Sequence, residues 1–142
     1  MNRLKISLLA VLIIPVLSDA AATGEVKAPP PVPGYTRNLL SPSIDGLKEK
    51  VLYYASKNPG KKPLLIFLHG AGGHKADIRT VQSLFAKGFS RNNLVCNVVR
   101  PQSEKGWPAG SIDQLLDYMI ANHDIDERRI YVAGYSMGGA GT

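Results

Sequence analysis

Two short apolar runs, each ending directly in a glycine-rich loop, most restrict what this chain can fold into. The first is Pro63-Leu-Leu-Ile-Phe-Leu68, followed by His69-Gly-Ala-Gly-Gly73. The second is Ile130-Tyr-Val-Ala133, followed by Gly134-Tyr-Ser-Met-Gly-Gly139. Continuous apolar runs this short suit strands covered on both faces. Leu94–Val99 reads as a third such strand, stopped by Arg100-Pro101. Leu47–Ala55 alternates loosely and predicts a half-exposed strand, ended by the turn Asn58-Pro59-Gly60. Helical periodicity occupies the intervals. Asp77 can cap a helix over 77–85, with Ile78, Val81, Leu84 and Phe85 on one face. Ser111 can cap another that carries Ile112, Leu115, Leu116, Met119 and Ile120 at spacings of three and four. Buried strands alternating with amphipathic helices predict an α/β fold, with a mainly parallel sheet and helices on both faces. In such a sheet, chemistry gathers at the carboxyl ends of the strands. Both glycine-rich loops lie at such ends.

The N-terminal segment reads differently. Arg3 and Lys5 precede an apolar run from Ile6 to Leu17, and either Ser18-Asp19-Ala20 or Ala20-Ala21-Ala22 can supply the small residues of a cleavage site. Residues 1–22 therefore read as a secretory signal peptide. The apolar run is about a dozen residues, short of the roughly 20 that span a bilayer, so no stable membrane anchor is expected after cleavage. A secreted or periplasmic location follows. Residues 23–35 hold Pro29, Pro30, Pro31 and Pro33 and read as an extended linker. The folded part is expected over 36–142.

Composition removes several function classes. The chain has 142 residues, room for one domain of ordinary size. Cys96 is its single cysteine, which excludes an internal disulfide and a zinc site built on several cysteines. The net charge of +6 is scattered, with no basic run longer than pairs such as Lys61-Lys62 or Arg128-Arg129. Nucleic-acid binding usually clusters its charge, so no nucleic-acid partner is expected. The 70–73 loop also fails as a nucleotide cradle. Both G-x-G-x-x-G and a P-loop starting at Gly70 need glycine at position 75, which is Lys75, and the P-loop then needs Lys and Ser/Thr where Ala76 and Asp77 stand. No cofactor and no metal are expected.

Gly134-Tyr135-Ser136-Met137-Gly138 matches G-x-S-x-G. This pattern places a serine on a sharp strand-to-helix turn, its hydroxyl pushed outward, with flanking glycines that let strand and helix approach. A tetrahedral acyl-transfer intermediate needs two preorganised N–H donors. One is the amide of Met137, directly after the serine. The other is expected from the 69–73 loop, at Ala71 first and Gly72 next.

Asp126–Thr142 together with Pro63–Gly73 resembles the α/β-hydrolase superfamily. The likeness is strongest to its secreted esterase and peptidase-like branch: feruloyl and acetylxylan esterases, polyhydroxybutyrate depolymerases and prolyl-oligopeptidase-type hydrolases. It covers about residues 47–142. The resemblance implies a serine hydrolase acting on small or polymeric carboxylic esters, with Ser136 as nucleophile and Ala71 and Met137 as oxyanion donors. His69, Gly70, Gly72, Gly134 and Gly138 shape the loops. Substrate specificity is not legible, and a serine peptidase stays open as an alternative.

The sequence departs from this pattern after the serine. The superfamily's order is nucleophile, acid, histidine, and no Asp, Glu or His follows Ser136. The chain is therefore expected to be the N-terminal part of the domain, ending after the nucleophile elbow, weakly stable and nearly inactive alone. A non-catalytic binding or vestigial module is the other reading. The three histidines do not replace the missing base: His69 is expected to bond within its loop, His74 to be solvated, and His123 to sit as a cation at a helix end. Trp107 reads equally as a cleft residue or a loop anchor. Tyr135 is expected to pack in the elbow, Cys96 to be a small buried hydrophobe, and Asp124 and Asp126 to shape a turn.

Overall fold

A computed structural model describes residues 31–78 and 95–142. The expected signal peptide, most of the proline-rich segment, Leu94 and the body of the helix expected over 77–85 lie outside the described residues. Asp77 and Ile78 are described, and neither is helical.

Five strands form one sheet: β1 (Tyr35–Leu40), β2 (Val51–Ser56), β3 (Lys62–Leu68), β4 (Asn97–Arg100) and β5 (Ile125–Gly134). Their order across the sheet is β1-β2-β4-β3-β5. β4, β3 and β5 run parallel, while β2 is antiparallel to β4 and β1 antiparallel to β2. The sheet is thus mixed, and its parallel part is the trio that carries the glycine-rich loops. Helix α1 (Ala109–Asn122) and the single-turn α2 (Met137–Ala140) flank β5 in the chain.

β2 is more buried than its loose alternation suggests. It lies between two strands, and each face meets a separate apolar cluster. Val51 and Tyr53 join Leu64, Ile66, Leu68, Val99, Leu115, Met119, Ile125 and Ile130. Leu52 and Tyr54 face the other way, against Cys96 and Val98. β1 has no strong sequence signal, since Tyr35, Asn38 and Leu40 are only half-buried and the rest of the strand is exposed. It exists because β2 offers it a complete antiparallel register, from Tyr35↔Ser56 to Leu40↔Val51. Gly34, at φ 78°, turns the chain into it and accepts a bond from the Lys57 amide at 2.9 Å.

The α1 face matches its periodicity. Leu115 and Met119 are fully buried, and Ile112, Leu116 and Ile120 pack half-buried against the same cluster. Its start differs from expectation. Pro108, at φ −64°, occupies the N-cap, and the helix begins at Ala109, two residues before Ser111. Ser111 instead lies in the first turn, where its amide donates to Pro108 O at 3.0 Å. Its hydroxyl donates to the Asp45 carbonyl, tying the preceding loop to the helix. At the other end, the His123 amide closes on Met119 O at 3.0 Å. The His123 ring stacks on Tyr53, 4.5 Å between centroids. Burial pushes its pKa down, so it is a neutral packing group at pH 7, not the cation expected at a helix end.

Asp126 belongs to β5 rather than to a preceding turn. Its carboxylate accepts from Arg129 Nε at 2.7 Å and from the Arg128 amide at 3.1 Å. This occurs where the β3–β5 register shifts between Lys62 and Leu64. Cys96 is buried, as expected, and burial pushes its thiol pKa up to about 11.

Because Leu115 is one of the two fully buried apolar residues that α1 packs into the core, Leu115→Ala should lower unfolding free energy by about 2–5 kcal/mol. Denaturant titration measures this. A loss below about 1 kcal/mol would mean that α1 is not docked as described.

Candidate active site

The site is built by register. β3 and β5 are parallel neighbours with Leu64↔Ile130 and Ile66↔Val132, so they end together at Leu68↔Gly134. The two glycine-rich loops therefore leave the sheet side by side. Tyr135 N–H donates to Leu68 O at 3.1 Å and carries the pairing one step past the strand.

Ser136 follows, at φ 52° and ψ −118°, and is the one non-glycine with positive φ among the described residues. For an L residue this region costs of order 1–3 kcal/mol and survives only where surroundings impose it. Here the imposing contacts are close. A Cβ at Gly138 would lie 2.1 Å from Leu68 O, and one at Gly134 would lie 2.1 Å from Gly138 O. Only bare backbone lets α2 pass this near to β3 and β5. Ser136 is exposed, Met137 half-buried and Gly138 buried. The turn thus presents the hydroxyl and hides its own packing.

The facing glycine-rich loop is a turn of 3-10 helix over Ala71–His74. Gly73 N–H closes it on Gly70 O at 2.9 Å. Gly70 abuts the elbow: its Cβ position lies 3.4 Å from Ser136 Cβ and 3.1 Å from Tyr135 Cδ1. At Gly72 a Cβ would meet nothing within 4 Å, whereas one at Gly73 would strike the His69 ring at 2.4 Å. Gly73 is the sterically demanding glycine here, and the sequence pattern did not separate the two. Ala71 and Met137 each begin a helical turn, where amides have no acceptor within the turn.

His69 is buried, and both ring nitrogens are occupied. Nδ1 lies 2.8 Å from Gly70 O, which only accepts, so Nδ1 carries the proton. Nε2 accepts from the Ser103 amide at 3.1 Å. Burial is the main cause pushing its pKa down, helped by the nearby Arg100, His74 and Lys48. The ring is therefore neutral, in one tautomer, and has no free nitrogen for a substrate proton. Trp107 anchors the same point. Its Nε1 donates to His69 O at 3.0 Å, and its ring meets the imidazole edge-on at 4.7 Å. The Cβ position of Gly141 lies 2.6 Å from Trp107 Cβ. Trp107 also lines a shallow depression of ≈ 360 Å³ with Gly46, Glu104, Lys105, Gly106 and Pro108. It is both a loop anchor and a cleft wall.

Two residues escaped sequence reasoning. Gln102 is buried, and its Nε2 donates to Gly73 O and Ala76 O, each at 2.6 Å. Arg100, the last residue of β4, is buried with its guanidinium 5.1 Å from the Phe67 centroid. Burial pushes its pKa down to about 10, which leaves it charged at neutral pH. The Arg-Pro pair reads as a strand stop, and neither residue belongs to a motif. A polar residue just past the end of a buried parallel strand was the available signal for Gln102. His74 is half-buried rather than solvated, and the Lys48 ammonium donates to its carbonyl. Among the described residues, no group of three or more His, Cys, Asp and Glu is placed to hold a metal ion.

No protein-family model matches the chain. A poly(3-hydroxyalkanoate) depolymerase C of Paucimonas lemoignei is 34% identical over 101 residues, covering 56% of this chain and 23% of the depolymerase. Among solved structures, a thermostable esterase superposes with a TM-score of 0.53 at 22% identity, over 78% of this chain and 36% of its own. A hyperthermophilic esterase from the archaeon Pyrobaculum calidifontis gives 0.56 at 17% identity, over 77% and 37%. An ester-hydrolase from the Lake Arreo metagenome gives 0.57 at 21%, over 80% and 38%. The architecture is the α/β fold of these esterases, carried here in part. The chain spans under a quarter of the similar depolymerase and under two-fifths of these esterases.

Two outcomes follow from the geometry. Gly138→Ala should cost more than about 2 kcal/mol, because backbone must move to admit the methyl group, while Gly72→Ala should stay within about 0.5 kcal/mol. Equal costs in thermal or denaturant unfolding would contradict the packed elbow. The histidines set a pH dependence. Folded His69 and His123 have pKa values below their ordinary 6.5, so below that pH the unfolded chain binds more protons. Their contribution to stability is whole above 6.5 and is lost as pH falls through 6.5 toward the lowered folded values. Unfolding free energy should drop on acidification through this window, and His69→Gln should flatten the slope. An unchanged slope in that variant would contradict a neutral buried His69.

Proposed function

We propose that the chain is part of a secreted serine hydrolase that acts on carboxylic esters through an acyl-enzyme on Ser136. The observation that carries this reading is the positive-φ serine at the end of β5, beside the turn that begins at Ala71. Ser136 Oγ attacks the ester carbonyl carbon, and the Oγ–C bond forms as the carbonyl becomes an oxyanion. The amides of Ala71 and Met137 receive that charge. The C–O bond to the alcohol then breaks, and the alcohol leaves with a proton. Water hydrolyses the acyl-serine and returns the hydroxyl. Donors of this kind are worth about 3 kcal/mol each in the transition state.

Neither His69 nor His123 is free to serve as the base. His69 has both nitrogens engaged, and the His123 ring packs on Tyr53. The similar depolymerase is named for a polyester, which supports a small or polymeric ester substrate over a peptide. The N-terminal segment supports secretion: residues 1–22 act as a signal peptide and the prolines up to residue 35 as a spacer. Among the described residues, no helix is long and apolar enough to cross a membrane.

A fluorophosphonate probe tests the nucleophile. Ser136 Oγ forms the bond to phosphorus, fluoride leaves, and the hydroxyl proton passes to solvent. Intact-mass and peptide mapping should find one adduct, on Ser136, lost completely in Ser136→Ala. No adduct, or one that persists in the variant, would overturn the reading. Ser136→Gly should at the same time raise unfolding free energy by about 1 kcal/mol, since glycine tolerates the positive φ.

A further inference from the structure

We infer that Gln102 is a positioning residue for the oxyanion hole, aiming the Ala71 N–H through the peptide that joins Gly70 to Ala71. The inference rests on the serine-hydrolase reading above.

The chain of bonds starts at the end of β4. Gln102 is buried, and its amide nitrogen meets two carbonyl oxygens, Gly73 O and Ala76 O. A side-chain NH₂ has two hydrogens, so both are spent on this one loop. The Gln102 carbonyl accepts the Lys48 amide at 2.7 Å, which fixes the backbone from which the side chain reaches. Gly73, held by its carbonyl, donates its own N–H to Gly70 O at 2.9 Å. Gly70 O also accepts His69 Nδ1–H, and the neighbouring Ser103 amide holds that tautomer through Nε2. The Gly70 carbonyl is therefore fixed twice, both times by groups tied to Gln102-Ser103.

Peptide planarity converts this into function. In a trans peptide the N–H of Ala71 points opposite to the C=O of Gly70. Pinning that carbonyl toward His69 and Gly73 turns the Ala71 N–H the other way. Gly70 is also the residue that touches the elbow, 3.4 Å from Ser136 Cβ at its Cβ position. Without the Gln102 donors, Gly73 O and Ala76 O both lose their side-chain partner, and the 3-10 turn holds its first peptide less tightly.

The test uses the full chain, a fluorophosphonate probe and two variants. Gln102→Met keeps the length and removes both donors. Its maximal labelling rate at Ser136 should fall about 10- to 100-fold, the range a mispositioned group produces, with the half-saturating probe concentration little changed. Amide hydrogen exchange over 70–76 should quicken in the same variant, while β3 and α1 stay protected. Gln102→Glu adds a pH signature: protonated, the carboxyl can donate one bond; ionised, it repels both carbonyls. Its labelling rate relative to wild type should climb several-fold from about pH 8 to about pH 5, because burial raises a carboxyl pKa. If Gln102→Met does not fold, this ratio decides. Wild-type labelling matched by Gln102→Met, or a pH-flat ratio in Gln102→Glu, would overturn the positioning role and leave the serine reading intact. A wild-type chain that takes no label at Ser136 would overturn both.

Discussion

Everything at the site depends on two parallel strands ending at the same level. Leu68 pairs with Gly134, and the Tyr135 amide returns to Leu68 O. From that junction the elbow can turn only if no side chain stands in the way. The Cβ positions of Gly134 and Gly138 are occupied by backbone at 2.1 Å. The strain at Ser136 is held by this crowding, since releasing it would push α2 into β3 or β5. A register slip of one residue would exchange the faces of β5 and bury its polar side. Core packing of Leu64, Ile66 and Ile130 thus fixes the serine as firmly as its own loop does.

The second loop is held from a third strand. β4 lies beside β3, and Gln102, Ser103 and Trp107 follow it. Their bonds reach Gly73, Ala76, and the Nε2 and backbone carbonyl of His69. The histidine at the head of the loop is a strut, with its ring spent on two hydrogen bonds and an edge contact. A buried neutral imidazole with both nitrogens bonded is a structural group, whatever stands beside it. Geometry separates strut from base where proximity does not.

The parts legible in the sequence were those where one physical demand dominates. β3 and the core of β5 followed from short continuous apolar runs, and the apolar face of α1 from its periodicity. The serine turn followed from glycines that no other residue can replace. β1 was not legible, because its stability comes from pairing with β2 rather than from its own side chains. β2 looked half-exposed because alternation reports one covered face, and here both faces are covered. The start of α1 was misplaced because Pro108 supplies the N-cap geometry without a side-chain bond. Ser111 has the right chemistry for a cap and spends it on Asp45. Gln102 was invisible for a similar reason: a single glutamine after a strand has no period and no motif. Its role exists only once β4 is placed next to β3. The body of the helix expected over 77–85 falls outside the described residues, and its described start, Asp77 and Ile78, is not helical.

The central claim is that the amides of Ala71 and Met137 face one point in front of Ser136. A crystal structure of the Ser136 phosphonate adduct measures this directly. The account predicts the phosphoryl oxygen within about 2.7–3.1 Å of both nitrogens, with Gly70 O still bonded to His69 and Gly73. An oxygen turned to solvent, or held by Met137 alone with the Gly70–Ala71 peptide reversed, would contradict it.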